Sequence, residues 1–254
     1  MRWISAFLGQ ARTGPTPWLL AIAALAYVAI ALQPASRTLG AICGRLRVTD
    51  LGALAELWPL LWSPQELARD WALMSVAMML PLVGSQISFV RHAVHRSMRW
   101  ISLIVLVAGY LLCWLLAGAA LLPIAIGLGM FLPAGIHMLV AITLAAVWCA
   151  SPWAQYARNQ CHMTNRLGAF GLDAVMGATR LGLRTGLNCV LACWPIMLLP
   201  LLVDTGHLAA MMGAGVYVFA DRVAAASLVQ WRIPPAIETA FGGSMIRLER
   251  RLTR

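Results

Sequence analysis

Cys189 and Cys193 stand four residues apart, and Met197 follows at the same interval. On a helix this spacing puts all three side chains along one face. Cys161-His162 lies in the polar stretch that precedes them. Thiolate, thioether and imidazole are the ligands that Cu(I) or Zn takes in preference to hard cations. Cys161, His162, Cys189, Cys193 and Met197 therefore form one candidate metal site. Ordinary packing is the competing explanation, because free Cys behaves as a small hydrophobe and is among the most buried residue types. Spacing alone leaves both open for the Cys189/Cys193 pair. Cys113, alone in an apolar run, reads as packing, and Cys149 continues the Ala141/Ala145 stripe of small residues that lets helices approach.

A second set of soft ligands is expected at the opposite end of the molecule. Met74 and Met78 share one helix face, and His207 and Met211 share another. Asp204 and His137 fall at a similar depth. His92 and His95, flanked by Arg91 and Arg96, read instead as a cationic loop. No Ser/His/Asp set, paired carboxylates or phosphate-binding loop is present, so the chain does not read as an enzyme. Proton pumps and ion-coupled carriers keep several acids inside the membrane. Here Asp221, next to Arg222, is the main one.

The elements that position these residues must be apolar helices. The 254 residues are 61% hydrophobic and 11% charged, against roughly 45–50% and about 25% in soluble domains. That balance excludes a disordered chain, a soluble nucleic-acid-binding domain and an ordinary cytosolic enzyme. It predicts an all-α, polytopic transmembrane helical bundle forming one integral membrane domain over 1–254, with the lipid bilayer as its principal partner and no nucleic acid. Six segments approach the ~20 residues needed to cross a bilayer: 17–34, 71–90, 100–121, 134–150, 186–203 and 206–229. Pro123, Pro133, Gly127 and Gly129 predict a hairpin over 122–133, and Asp204-Thr205-Gly206 a second sharp turn.

All 19 basic residues are Arg, giving a formal net charge of +10. With six spans, fifteen of them fall on one side, and only Arg37, Arg45, Arg47 and Arg69 on the other. Cytoplasmic loops collect positive charge. The split predicts a multi-pass membrane protein with both termini cytoplasmic. Cys149, Cys161, Cys189 and Cys193 then lie near the cytoplasmic boundary, where thiols stay reduced and no structural disulfide is expected. Arg2 and Arg12 ahead of an apolar run also fit a signal peptide, but no clean cleavage site follows, and the run is read as an anchor. Trp58 and Trp62 mark 51–68 as an interfacial segment. Residues 236–254 place Phe241, Met245, Leu248 and Leu252 on one stripe, which predicts a basic amphipathic tail on the inner leaflet.

Several stretches resemble a family. Trp71-Ala72-Leu73-Met74-Ser75-Val76-Ala77-Met78-Met79-Leu80-Pro81 resembles the Met-rich signature of a bacterial family of predicted metal-binding integral membrane proteins. Gly109-Tyr110-Leu111-Leu112-Cys113-Trp114 is similar to its next signature, and Gly182 through Cys189, continuing to Cys193-Trp194 and Met197, to its Cys-rich helix. Asp221-Arg222 falls where the family usually has Glu-Lys. The likeness covers about residues 70–230. It implies a copper chaperone that supplies Cu(I) to a cuproenzyme such as a polyphenol oxidase, with the clustered Cys as ligands. The chain departs from the pattern at Ala157, Thr185 and Ala192, where the family has Cys, His and Cys, and at Gly206-His207, where it has Met-Asn.

Two expectations follow. One is a copper-handling membrane protein that holds Cu(I) through Cys161, Cys189 and Cys193, completed by His162 or Met197, and delivers it to a cuproenzyme. The alternative is a non-catalytic accessory or assembly subunit of a larger membrane complex that has kept the fold and lost the metal.

Overall fold

The computed structural model describes residues 16–33 and 64–234 apart from 134, 165, 204 and 205, together with 237. Among the described residues the elements are helices and no strand occurs: α1 (Thr16–Ala31), α2 (Pro64–Met79), a 3-10 turn (Leu80–Val83), α3 (Gly84–Ala93), α4 (Arg99–Phe131), α5 (Ile136–Ala150), α6 (Pro152–His162), α7 (Gly171–Leu202) and α8 (His207–Val223). The all-α expectation therefore holds. At 33 and 32 residues, α4 and α7 are each about 50 Å long, well beyond the ~30 Å of a bilayer's hydrocarbon. They form the central pair. α7 also packs on α6, α5 and α8, while α1 lies on α2.

Glycine sets the distance between α4 and α7. A Cβ on Gly182 would stand 2.2 Å from the Leu106 carbonyl oxygen, and one on Gly186 would stand 2.8 Å from the Cys113 Cβ. Only hydrogen fits there. Small residues allow helices in lipid to gain dispersion contacts that bulkier ones would prevent. The same device recurs at Gly118, where the Trp71 indole of α2 lies over the backbone and its Nε1 donates to the Trp114 carbonyl at 2.7 Å.

Proline creates the irregularities, and side chains repair them. Pro81 falls at the start of the 3-10 turn between α2 and α3. It cannot donate a backbone bond and so interrupts the α-helical ladder; where α2 ends, the Met79 carbonyl accepts the Tyr110 hydroxyl at 3.0 Å. Pro195 inside α7 leaves the Leu191 carbonyl without its helical donor, and the Trp148 indole of α5 supplies one at 2.8 Å. Ser151 caps α6 by accepting from the Ala154 N–H at 3.3 Å, with Pro152 in the first turn where its missing N–H costs nothing. The axis bends by 61° there.

Fewer spans meet the length and apolarity requirement than the six expected. Three helical stretches do, Gln65–Ala93, Arg99–Phe131 and Gly171–Leu202, or four if the bent pair α5–α6 counts as one. The segments expected at 17–34 and 206–229 contain helices of 16 and 17 residues, shorter than a perpendicular span needs. The predicted hairpin at 122–133 is also corrected. Pro123 is carried inside α4, which continues to Phe131, and the chain turns near Gly135 at φ +87°. Gly206 is left-handed at φ 78°, as a turn there requires, whereas Asp204 and Thr205 lie outside the described residues. So do residues 51–63 of the interfacial segment, Cys43 and essentially all of the 236–254 tail. Residues 64–68 of that segment belong to α2.

The glycine contact predicts opposite outcomes at two positions. Gly182→Val should lower the stability of the detergent-solubilised protein by about 3 kcal/mol or more, because the obstruction is backbone rather than a side chain that can swing away. Gly213→Ala on α8, where nothing lies within 4 Å of the added Cβ, should stabilise it by up to ~1 kcal/mol. Thermal unfolding of both variants checks the pair.

Candidate metal site

The two helices that carry the predicted thiols converge. Cys161, His162, Cys189 and Cys193 line one cavity of about 20 Å³, between α6, α7 and α8. A single water needs roughly 10–15 Å³ by the same measure, so the space suits one small ion. Cys189 and Cys193 reach it from one face of α7, as their spacing predicts. Cys161 and His162 reach it from the last turn of α6. All three thiols are buried, while His162 is exposed at the rim. Met197 is buried in the core and does not line the cavity. Ala192, one of the positions where the resembled family carries Cys, does.

The thiols are engaged in hydrogen bonds. Cys193 Sγ donates to the Cys189 carbonyl at 3.0 Å, closing a local bond to the preceding turn. Tyr110 Oη stands 3.3 Å from Cys189 Sγ. That hydroxyl also donates to Met79, so the thiol is the donor to the phenolic oxygen. Cys161 Sγ faces the Thr185 carbonyl at 4.0 Å. Among the described residues no three His, Cys, Asp or Glu side chains are gathered around a common point. Ligating distances of ~2.0–2.3 Å would require the thiols to rotate inward. The five described cysteines, including Cys113 and Cys149, are free and buried. Cys113 Sγ donates to the Leu183 carbonyl at 3.4 Å, in keeping with a packing role.

Charged groups were the part that sequence reasoning placed wrongly. Arg158, counted with the loop charges, is buried inside the bundle and pairs with Asp221 at 3.4 Å. The same guanidinium donates to the Cys149 carbonyl at 3.1 Å and to Gln155 at 2.9 Å. Arg158, Asp221 and Arg222 all line the cavity beside the cysteines. One signal was available. Arg158 shares the Ala154/Cys161 stripe of α6, and a charge on an otherwise small, apolar stripe demands a buried partner. Arg180 and Arg184 also lie within a helix, because α7 begins at Gly171.

At the other end, Met74, Met78 and Met211 are buried in the common core. Tyr27 connects them: its hydroxyl donates to the Met211 carbonyl at 3.3 Å and, like the Met78 side chain, lies close to Gly215. The histidines have structural partners. His207 Nδ1 donates to the Pro200 carbonyl at 2.7 Å. His137 stands 3.2 Å from the carbonyls of Pro133 and Leu202, and a neutral ring donates to one of them at a time. His207 thus serves a carbonyl near the end of α7, and His137 lies between one there, Leu202, and that of Pro133.

Removing one member of the buried ion pair should be costly. Asp221→Leu should destabilise the protein by about 3–5 kcal/mol, since it strands the Arg158 charge in a site of low dielectric. The double variant Arg158→Met/Asp221→Leu should lose clearly less. Denaturant or thermal unfolding of the two variants, measured together, tests the coupling.

No curated protein and no solved structure matches the chain. A match does exist at the level of a family, the one described as PpoB2, copper chaperone, and it runs over residues 68–245. That stretch is more than half of the chain and includes every residue that lines the cavity. The chain belongs to this copper chaperone family.

Proposed function

We propose that the protein carries Cu(I) as cargo in a bacterial inner membrane and hands it to a cuproenzyme, without catalysing a reaction itself. The observation that supports this most directly is the convergence of Cys161, His162, Cys189 and Cys193 on one small cavity. Cu(I) accepts two- or three-coordinate soft sites, so the residues lost at Ala157, Thr185 and Ala192 do not remove the minimum. In this reading Cys189 and Cys193 are the first ligands and Cys161 the third. His162 suits release better than tight holding, because it sits exposed at the rim. Met197 is the weaker completion of the site, being packed away from the cavity. Met74, Met78, His207 and Met211 form a possible outer set whose donors are at present occupied by packing and helix-end hydrogen bonds. The excess of Arg on one side favours cytoplasmic termini, with the cavity in the inner half of the bundle.

The second reading, an accessory subunit that has lost the metal, draws on the hydrogen-bonded thiols and the absence of three gathered ligands among the described residues. Copper loading decides between the two. Purified full-length protein given Cu(I) under reducing, oxygen-free conditions should retain roughly one ion per chain against a competing chelator. Cys189→Ser/Cys193→Ser should lose it without unfolding, since oxygen suits Cu(I) poorly and helix interfaces accept small hydroxyl residues. Cys113→Ser should behave as the unmodified protein. No retained copper, or copper that survives the double change, would establish the accessory reading or a different site. A reporter fused after Leu132 should read as external, and a cytoplasmic signal there would overturn the orientation.

A further inference from the structure

Arg222 lines the cavity beside Cys189 and Cys193, and its Nη1 is buried with no hydrogen-bond acceptor in the structure. A buried guanidinium nitrogen left without an acceptor is costly. The cost is explicable if the group faces an anion in another state of the site. The neighbouring charges do not supply one on balance, because Arg158 and Asp221 are paired with each other. The protein groups around the cavity therefore carry about one positive charge more than negative.

Loading changes that balance in a way that depends on the ion. When Cu(I) enters, the S–H bonds of Cys189 and Cys193 break, two Cu–S bonds form and two protons leave to water, while Cys161 completes the site as a neutral, protonated thiol. A bis-thiolate complex of net charge −1 results, and the Arg222 charge cancels it. A divalent soft ion taking the same two thiolates makes a neutral complex and leaves the guanidinium uncompensated. We propose that Arg222 is a specificity-determining residue that makes the cavity prefer a monovalent soft ion over a divalent one. The inference rests on the copper-carrying reading above and adds to it a basis for selection that ligand softness does not provide.

Ag(I) and Cd(II) separate charge from softness, since both favour thiolate while differing by one unit of charge. Full-length protein in detergent, kept reduced, should bind Ag(I) as it binds Cu(I) and should take up no stoichiometric Cd(II) at the same pair. Arg222→Gln should weaken Ag(I) and Cu(I) by roughly ten- to hundredfold, the scale expected for one nearby charge in a partly buried site. The same variant should leave Cd(II) unchanged or stronger, and Arg222→Lys should restore the original preference. A purely structural role would weaken both ions together. Such a parallel loss, or stoichiometric Cd(II) binding by the unsubstituted protein, overturns this inference while leaving copper carriage intact. The second measurement stands even if Arg222→Gln does not fold. Absence of Cu(I) binding by the unsubstituted protein, or binding that survives Cys189→Ser/Cys193→Ser, overturns both.

Discussion

The backbones of α4 and α7 touch at Gly182, where any Cβ would lie 2.2 Å from the Leu106 carbonyl oxygen. Much of the interior follows from that contact. Because the helices are this close, Tyr110 on α4 reaches Cys189 on α7 and, through the same hydroxyl, Met79 at the broken end of α2. One phenol thus ties three elements together. A wider separation would leave the Cys189 thiol and the Met79 carbonyl both without this partner, in an interior where unsatisfied polar groups are expensive. The glycines contribute nothing chemical to the cavity, yet they hold one of its walls in place.

The paths of α6 and α8 complete the enclosure. Ser151 and Pro152 end one helix and begin another with a 61° change of direction, which brings Cys161 and Arg158 beneath α7. From there Arg158 reaches Asp221 on α8. α7 is thus held on one flank by glycine contacts with no charge and on the other beside a buried ion pair. The first flank is short-range and steric. The second depends on both charges being present.

Much of this was legible in the residues. The i, i+4 spacing of Cys189 and Cys193 is read directly from the chain, and the two line one cavity together with Cys161 and His162. The family match, which spans residues 68–245, agrees with the likeness read from the Met-rich and Cys-rich stretches. Other features were not legible, for identifiable reasons. Proline and glycine ordinarily mark turns, but Pro123, Pro195 and Pro200 lie inside long helices; at Pro195 the Trp148 indole supplies the lost donor. Arg residues that fall between apolar segments read as loop charges. Arg158 shows that a cation near the end of an apolar run can turn inward when an acid from a distant helix meets it, and no local pattern reveals that acid. The bond from His207 Nδ1 to the Pro200 carbonyl at the end of α7 has no signature in the sequence.

The helical spacing of Cys189 and Cys193 has a consequence for oxidation. Side chains one turn apart on a helix keep their Cβ atoms about 5–6 Å from each other, whereas a disulfide needs them at roughly 3.5–4.5 Å. A bridging ion can span the wider gap; a direct sulfur–sulfur bond would have to unwind the helix. Within the intact bundle the glycine contacts on one side and the ion pair on the other resist that unwinding. An oxidant that reached the cavity would therefore find two thiols unable to protect each other by pairing, and the first would be driven toward sulfenic acid instead. Burial of both sulfurs then acts as a chemical safeguard as well as a packing arrangement.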